Sequence, residues 1–502
     1  MYATVFSGGV CGVKSYLAKV EIDLARALPG FDMVGKLSKE VLEARERVRV
    51  ALKNSEIELP PMHITVNISP ADIRKSGTGY DLPIAIGILA AMGTLPAGYL
   101  KDVFVVGELG LNGEVRPVNG ILPMIMEAKR KRRKVCLVPY DNRKEAANVD
   151  GVTIIAVKDL NEALAYFMNP AGVESVPNVN INEAISGNEY EEDYSDVVGQ
   201  AACKRAALIA AAGFHHLMIS GPPGSGKTMI ARRIITILPR LTPQESLEVS
   251  AIYSVAGLLD EKRPLIVKRP YMSPHHSSTR QSLTGGGASM RPGLLSLSHK
   301  GVLFLDELPE FNRECIEILR EPLEEKKVKI ARVHGTYNYP ADFMLVAAAN
   351  PCPCGYYPNL NRCKCSENDI RRYQNKISGP IRDRIDLIVT SEEIDYENLN
   401  SPGDDLDSKS MREQVDRARA LQRARYADKN YEFNSQIPSR DIKVYCALGE
   451  DEGAYMEKAY KAMGLSARSY HKILKVARTI ADLEGSEKIG VEHLAEAINY
   501  RG

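Results

Sequence analysis

The chain has 502 residues, 44% of them hydrophobic, and its 65 lysines and arginines nearly balance its 64 acidic residues. This length predicts about three domains with sizeable cores, and the balanced charge argues against a protein that coats nucleic acid non-specifically. We expect a cytoplasmic protein without a membrane segment, because the N-terminus does not resemble a signal peptide and no apolar run approaches the ~18 residues that span a bilayer.

The first part of the chain, residues 1–170, mixes predicted strands and helices. Apolar and alternating patterns predict strands over 64–68, 103–107 and 135–139, and helices over 39–53 and 120–130. Residues 171–196 are rich in Asn, Pro, Gly, Ser and acidic side chains, which predicts a flexible acidic linker.

The next segment begins with a phosphate-binding loop. Residues 221–228 match G-x-x-x-x-G-K-[ST], with an apolar strand before them and a helical pattern after them. Backbone N–H groups and the helix dipole would hold the phosphates of ATP there. Lys227 would reach the β- and γ-phosphates, and Thr228 would bind Mg²⁺. The predicted nucleotide-binding residues are Gly221, Pro222, Pro223, Gly224, Ser225, Gly226, Lys227 and Thr228.

Two later strands end in polar residues that suit ATP hydrolysis. Residues 302–305 form an apolar strand followed by Asp306, predicted to bind the same Mg²⁺ as Thr228, and by Glu307, predicted to act as the general base. The apolar strand 345–349 ends at Asn350, whose amide would orient the attacking water. Apolar strands alternating with helices over 197–395 predict a mostly parallel α/β domain.

Four cysteines follow Asn350 at close spacing. Two thiolate pairs on one loop can supply the four ligands of a structural Zn²⁺ site. The spacing within each pair is tighter than the usual C-x₂₋₄-C, so unliganded thiols and a redox role stay open. The candidate ligands are Cys352, Cys354, Cys363 and Cys365.

Together these motifs resemble those of AAA+ ATPases. The segments 274–276, 285–287, 291–293 and 299–307 are similar to the magnesium-chelatase branch, and 350–356 with 378–387 match the YifB/ComM family of magnesium-chelatase-like proteins. This resemblance covers nearly the whole chain. It implies a central AAA+ phosphate-loop NTPase domain at 197–395, a C-terminal helical lid domain at 405–502, and a hexameric ring.

The resemblance also implies roles for two arginines. Arg384 matches the arginine finger, which completes the ATP site of a neighbouring subunit, and Arg468 matches the second sensor arginine, which contacts the γ-phosphate. Arg382 lies two residues before Arg384, so the arginine-finger role could be assigned to either residue. Arg468 opens a segment, 467–483, with one apolar stripe, so we expect a long helix there.

The segment 107–120 resembles the proteolytic domain of Lon, an α+β fold related to ribosomal protein S5. Lon uses a Ser–Lys pair, but Gly79 stands at the nucleophile position here, 121–123 replaces the lysine, and the alternative nucleophiles in the same turn are Ser76 and Thr78. We therefore expect domain 1–170 to be catalytically inactive. Its basic run, 129–134, suits either DNA contact or a solvated helix end.

The function that these features favour is a ring-forming ATPase that remodels DNA. The family's ComM members are associated with branch migration during natural transformation, so single-stranded or branched DNA is the expected partner. A basic hairpin is predicted at 326–339, where the magnesium-chelatase branch has a hairpin that faces the central pore. A solvated edge of a sheet would have the same basic pattern. The alternatives are a metal-insertion ATPase subunit, as in magnesium chelatase, and an ATP-dependent protease-like regulator.

Overall fold

The computed structural model describes residues 1–187, 190–287, 290–332, 335–393 and 406–501. The end predicted for the ATPase segment and the start predicted for the helical segment, at 395–405, lie outside these residues, and so does Gly502. Among the described residues no helix is both long and apolar enough to cross a membrane.

The N-terminal part is built on a mixed sheet with the strand order β3-β4-β2-β1-β5-β8-β9. The pairs β1–β2 and β2–β4 are antiparallel, and the other neighbours in this sheet are parallel. Its strands, with the small β6–β7 hairpin, are β1 Tyr2–Cys11, β2 Lys14–Ala25, β3 Gly30–Val34, β4 His63–Ser69, β5 Val103–Val105, β6 Glu108–Leu109, β7 Val115–Arg116, β8 Val135–Pro139 and β9 Thr153–Val157.

One helix of this part is buried along its whole length. It contains most of the apolar run 82–92, which is too short to span a bilayer and instead packs against β1 and β2. The predicted strands at 64–68 and 135–139 and the predicted helix at 120–130 are confirmed, whereas the strand predicted at 103–107 ends at Val105 and the helix predicted at 39–53 is divided in two at Glu43. The helices are α1 Lys39–Leu42, α2 Ala44–Asn54, α3 Asp81–Ala91 (the buried one), α4 Ile121–Arg130, α5 Arg143–Ala146 and α6 Leu160–Met168.

The segment 171–196 differs from the solvated linker that its composition predicts. It contains a helix, α7 Ile181–Ser186, and Tyr194 is fully buried with its hydroxyl donating to the Ile230 carbonyl at 3.0 Å. The aromatic ring fills the core of the next domain although acidic residues surround it in sequence. Asn188 and Glu189 lie outside the described residues.

The central part is a parallel sheet in the order β11-β14-β17-β10-β18, which is the α/β architecture that the sequence predicts. Every residue of β14 and β17 is buried, as expected of strands covered on both faces. The strands of this part are β10 Leu217–Ser220, β11 Tyr271–Met272, β12 Gly285–Gly286, β13 Arg291–Pro292, β14 Val302–Leu305, β15 Lys327–Arg332, β16 Gly335–Pro340, β17 Met344–Ala349 and β18 Leu387–Thr390.

Helices cover both faces of this sheet. The residues of α8 and α9 pack on the face that carries Leu217 and Ile219, and the segments around α13, α14 and α16 pack on the face that carries Met218. The helices are α8 Ala201–Gly213, α9 Lys227–Ile237, α10 Pro243–Ala256, α11 Arg280–Thr284, α12 Leu294–Leu297, α13 Arg313–Glu317, α14 Arg320–Glu325, α15 Glu367–Gln374 and α16 Gly379–Arg382.

The C-terminal part is helical, as predicted. Its longest apolar stripe lies on the helix 467–483, which has the predicted bounds and packs against α8 through Ile473, Ala477 and Ile480. The helices are α17 Ser408–Arg425, α18 Ile442–Tyr445, α19 Glu450–Met463, α20 Ala467–Leu483 and α21 Val491–Asn499.

Candidate active site

The phosphate loop joins the carboxyl end of β10 to the first residue of α9. Gly224 and Gly226 have φ angles of +79° and +82°, a left-handed backbone that glycine adopts without strain. At Gly221 a Cβ would collide with the hydroxyl of Ser391, which follows β18. The pattern of glycines in the motif therefore corresponds to backbone constraints in this fold.

The lysine of the motif points back into its own loop. The Lys227 ammonium donates to the carbonyl oxygens of Gly221 at 2.8 Å and Pro222 at 2.7 Å, and burial lowers its pKa. The 11-residue helix α9 begins at this lysine, so the helix dipole adds positive potential at the same place. The loop therefore has features suited to an anion, and a bound phosphate would replace the two carbonyls as the partner of Lys227.

The predicted Mg²⁺ ligands lie in contact. The Thr228 hydroxyl donates to the Asp306 carboxylate at 2.8 Å, although the two residues are far apart in sequence. The next residue, Glu307, has a left-handed backbone with φ +51°, and its carboxylate lies 3.8 Å from the His276 ring. A hydroxyl and a carboxylate beside a phosphate loop are suitable oxygen ligands for Mg²⁺, with waters and phosphate completing the shell.

Asn350 lies at the same edge of the sheet. It directly follows β17, which lies between β14 and β10, and the Gly221 amide donates to the neighbouring Ala349 carbonyl at 3.2 Å. Asn350, Gly221 and Tyr356 line a cavity of about 700 Å³. The sheet order therefore brings the Asn350 amide to the edge where the phosphate loop and the two acids lie.

Two side chains that hold the phosphate loop were not found by sequence reasoning. The Gln200 amide donates to the carbonyls of Ser225 at 3.1 Å and Glu392 at 2.7 Å. The Ser225 hydroxyl lies 2.7 Å from the Ser391 hydroxyl. Neither Gln200 nor Ser391 belongs to a recognisable motif. Gln200 lies between Gly199 and the first residue of α8.

The four candidate zinc ligands form a cluster. The sulfur of Cys352 lies 3.4 Å from that of Cys354 and 3.8 Å from that of Cys363, and all four sulfurs, including that of Cys365, lie within 4.8 Å of one another. Thiolates around a tetrahedral Zn²⁺ at ~2.3 Å are ~3.8 Å apart, so the donor set and its spacing fit this ion. A hydrogen bond from the Tyr356 backbone lowers the pKa of the Cys354 thiol to about 6.

The cysteine loop packs directly on the phosphate loop. Gly355 has φ +86°, and a Cβ there would come within 2.5 Å of Pro223. Gln374 on α15 donates to the Pro351 carbonyl at 3.2 Å, which holds the first part of the cysteine loop. A metal in the cluster would supply no catalytic chemistry, but it would stiffen a loop that touches the nucleotide site.

Removal of that metal is expected to destabilise the protein and weaken ATP binding. Cys352→Ser, or treatment with a strong chelator, should lower Tm by about 5 °C or more and should raise the Kd for a fluorescent ATP analogue, because the cysteine loop contacts Pro223. Calorimetry and metal analysis would measure both effects. Cys11→Ser, at an exposed cysteine, is the matched control. A protein that contains no metal and melts unchanged after chelation would contradict the zinc assignment.

The structure brings the two predicted arginines together, but not at the phosphate loop of their own chain. Arg384 and Arg468 both contact Oε1 of Glu324 on α14, at 2.7 and 2.8 Å. Four residues along α20 from Arg468, Lys472 pairs with Asp386 at 2.6 Å. These groups come from separate parts of the chain, and their shared contact with Glu324 has no sequence signal.

This cluster lies at the amino edge of the parallel sheet. Asp386 and Leu387 donate their backbone N–H groups to the carbonyl of His216, which immediately precedes β10. The phosphate loop follows the other end of β10, so a four-residue strand, roughly 13 Å at ~3.3 Å per residue, separates the two sites. Arg468 therefore lies with Arg384 and away from the phosphate-binding edge of its own chain.

The basic hairpin predicted at 326–339 is present as β15 and β16, paired from Lys327 with Pro340 to Arg332 with Gly335. At least one of its lysines already forms ion pairs within the protein, which the sequence did not indicate. Lys329 pairs with Glu325 at 2.7 Å and Glu321 at 3.2 Å, both on α14. The turn residues Val333 and His334 lie outside the described residues.

The basic run 129–134 divides into two groups. Lys129 pairs with Asp150, Arg130 pairs with Glu127, and the Arg133 guanidinium lies 3.7 Å from the centre of the Phe6 ring. The remaining cations of the run, at 131, 132 and 134, are exposed. Lys129 and Arg130 are themselves exposed, so the run lies almost entirely on the surface and only Arg133 is half-buried.

Around the turn at 75–81, which contains Gly79, the contacts described include no Ser–Lys pair of the kind that Lon uses. The Thr78 hydroxyl donates to Glu108, and the buried Lys75 amine donates to the carbonyls of Pro70 and Ile73. The first turn of α4, which replaces the lysine position, packs on the central domain, with Gly120 donating its N–H to the Ser254 carbonyl at 3.0 Å.

A parallel sheet in this order, with a phosphate loop, a paired threonine and aspartate and an asparagine on the intervening strand, defines an AAA+ phosphate-loop NTPase. Comparisons narrow the class. Residues 193–399 match the family model "Magnesium chelatase, subunit ChlI", 20–142 match "Subunit ChlI of Mg-chelatase", and 405–501 match the C-terminal model of the same subunit.

The similarity to whole proteins extends over nearly the full length. The chain is 40% identical to the competence protein ComM of Haemophilus influenzae, covering 99% of this chain and 97% of that protein. It is 39% identical to the YifB protein of Escherichia coli over 99% of this chain and 96% of that one. Lon protease 2 of Bacillus subtilis is 31% identical over 140 residues, 28% of this chain and 25% of its own. The chain belongs to the YifB/ComM family of magnesium-chelatase-like AAA+ ATPases.

Proposed function

We propose that this protein hydrolyses ATP in a homo-oligomeric ring, with a hexamer as the expected form, and uses the energy to remodel DNA. The observation that supports the proposal is that the candidate catalytic residues lie at two opposite edges of one sheet. Thr228, Asp306, Glu307 and Asn350 lie with the phosphate loop, whereas the arginines lie at the opposite edge.

In this proposal the residues at the phosphate-binding edge of each subunit bind ATP and hydrolyse it. Lys227 leaves the loop carbonyls and binds the β- and γ-phosphates, while Thr228 and Asp306 hold Mg²⁺. Glu307 accepts the proton of the attacking water, and the Asn350 amide orients that water. Arg384 and Arg468 of the same chain lie at the opposite edge of the sheet, too far away to balance the charge that develops on the γ-phosphate.

The missing positive charge is therefore assigned to a neighbouring subunit. Arg384 and Arg468 would approach the neighbour's γ-phosphate from their shared position at the amino edge. A closed ring supplies such head-to-tail contacts at every interface. The isolated subunit would bind ATP but would hydrolyse it slowly.

The DNA part of the proposal is supported by the full-length similarity to a competence protein and by the β15–β16 hairpin. We assign to this protein a branch-migration activity on single-stranded or branched DNA, used in homologous recombination or natural transformation. Domain 1–170 would act as a catalytically inactive scaffold or DNA-contact surface, with 197–395 as the motor, 405–502 as the helical lid, and 171–196 as the connection between the first domain and the motor.

ATPase and strand-exchange assays with a four-way DNA junction test this proposal. We expect the junction to stimulate turnover and to be resolved only with hydrolysable ATP. ATP turnover that is unchanged by DNA, with no strand movement, would overturn the DNA assignment and favour the two alternatives, a metal-insertion ATPase subunit or a protease-like regulator.

Lys329→Ala should weaken DNA binding and lower the slope of log K against log salt by about one, because one phosphate contact is lost. The effect requires DNA to displace the Glu321 and Glu325 partners of Lys329. Turnover without DNA should stay at the wild-type level. Lys461→Ala is the control, since that lysine has a similar pairing with Glu457 on α19. Equal salt slopes for both variants would remove the hairpin from the DNA-binding surface.

A further inference from the structure

A single carboxylate holds both of the arginines that the proposed ring needs. Oε1 of Glu324 contacts Nη2 of Arg384 at 2.7 Å and Nη2 of Arg468 at 2.8 Å. Arg384 is also fixed by the Pro380 carbonyl at 2.6 Å. The pKa of Glu324 is lowered by its hydrogen bonds to Arg384 and then to Arg468, so the carboxylate is ionised at neutral pH.

The three side chains meet at a cavity of about 380 Å³ at the amino edge of the sheet. Most of the other charged groups in this cavity form ion pairs with each other: Lys326 pairs with Asp342 at 3.1 Å and Lys472 pairs with Asp386 at 2.6 Å. The lining carries five lysines and arginines and three carboxylates, which leaves an excess of positive charge. Such a cavity favours an anion, and Glu324 already supplies the one carboxylate that faces both arginines.

An anion that binds these arginines must therefore compete with Glu324. Guanidinium groups bind carboxylate and phosphate oxygens with the same geometry, so one can replace the other without rearranging the arginine. Glu324 is 46% exposed and Arg468 45% exposed, which leaves the contact open to exchange. Arg384 is only 11% exposed and keeps its anchor at Pro380.

We propose that Glu324 is a positioning residue that holds Arg384 and Arg468 ready and is displaced by the γ-phosphate of ATP in the neighbouring subunit. This inference rests on the proposed ring with arginines acting between subunits. We call this contact of Glu324 with Arg384 and Arg468 the latch. It allows the arginines to bind the neighbouring nucleotide only when that nucleotide is ATP, because ADP has no γ-phosphate to displace the carboxylate. The same short helix, α14, holds the Lys329 partner acids, so the latch lies at the base of the β15–β16 hairpin.

Glu324→Gln tests the latch, measured without DNA. The amide keeps the size of the side chain but removes its charge, so the arginines no longer have a competing anion. We expect KM for ATP to fall by about 3- to 10-fold, the range that two partly exposed ion pairs can supply, with the Kd for ADP unchanged. Glu325→Gln, which alters the next acid on α14, should change neither value, because Glu325 pairs with Lys327 and Lys329 and not with the two arginines in the contacts described. Glu324→Asp should restore the wild-type KM at least in part.

A double-mutant comparison separates the latch from a structural role. In an Arg384→Ala, Arg468→Ala background, where turnover is too slow to define a KM, Glu324→Gln should no longer change the Kd for a non-hydrolysable ATP analogue, which it should lower in the wild-type background. A lowered Tm with equal changes for ATP and ADP, an unchanged KM, or an effect that persists in this background would overturn the latch. Failure of the proposed function would give a different result. The wild-type protein would then show no ATP turnover, or Arg384→Ala would keep full turnover.

Discussion

Arg384→Ala is expected to lower kcat for ATP hydrolysis by about 10³- to 10⁵-fold, the effect of removing a charge delivered between subunits. Binding of ATP should persist, because Lys227, Thr228 and Asp306 lie at the other edge of the sheet. Steady-state turnover and binding of a fluorescent ATP analogue measure the two effects separately. Arg382→Ala is the comparison variant, since Arg382 lies two residues away, donates to the Gln374 carbonyl at 3.3 Å and lines the cavity that contains Asn350. Arg372→Ala, at an exposed arginine that pairs with Asp369, is the control.

A mixing experiment tests whether Arg384 acts between subunits. Lys227→Ala should be inactive because it does not bind ATP, and Arg384→Ala should be inactive for lack of its arginine. Mixed in equal amounts, they should regain about a quarter of wild-type turnover, because that share of the interfaces joins an intact phosphate loop to an intact arginine. No recovery in rings shown to be mixed would place the function of Arg384 within its own chain. Loss of activity in Arg382→Ala instead would transfer the role to that residue.

Glu307→Gln is expected to abolish most hydrolysis while leaving ATP binding intact. Removal of a general base costs about 10²- to 10⁴-fold in rate, and the amide has nearly the shape of the carboxylate. Single-turnover measurements with radiolabelled ATP would isolate the chemical step from product release. Glu310→Gln is the control, because that exposed acid lies three residues on and pairs with Lys376 at 3.2 Å. Turnover within tenfold of wild type would remove Glu307 as the base.

The phosphate-binding edge was predictable because its residues are specified locally. Gly224 and Gly226 need a left-handed backbone, and Asp306, Glu307 and Asn350 each follow a buried strand. The carboxyl ends of parallel strands meet at one edge, so a strand prediction alone was enough to expect these groups to lie together. The contact of Thr228 with Asp306 at 2.8 Å agrees with that expectation.

Composition was misleading where a single residue decided the structure. The segment 171–196 is polar enough to predict a solvated linker, yet Tyr194 is buried in the core of the central domain. The sequence of the basic hairpin suggested lysines available to bind phosphate, but Glu321 and Glu325 on α14 pair with Lys329. Average polarity does not reveal which side chain finds a partner distant in sequence.

By itself the sequence determined the family, the phosphate loop, the acids, the asparagine-tipped strand and the four clustered cysteines. Each depends on residues that are close in the chain or on strands whose ends must meet. Only the tertiary structure decided that Arg384 and Arg468 share Glu324, that the cysteine loop touches Pro223, and that the arginines lie at the edge opposite the phosphate loop. These relations depend on how α14, α20 and the cysteine loop pack around one sheet, and packing between distant segments leaves no local pattern in the sequence.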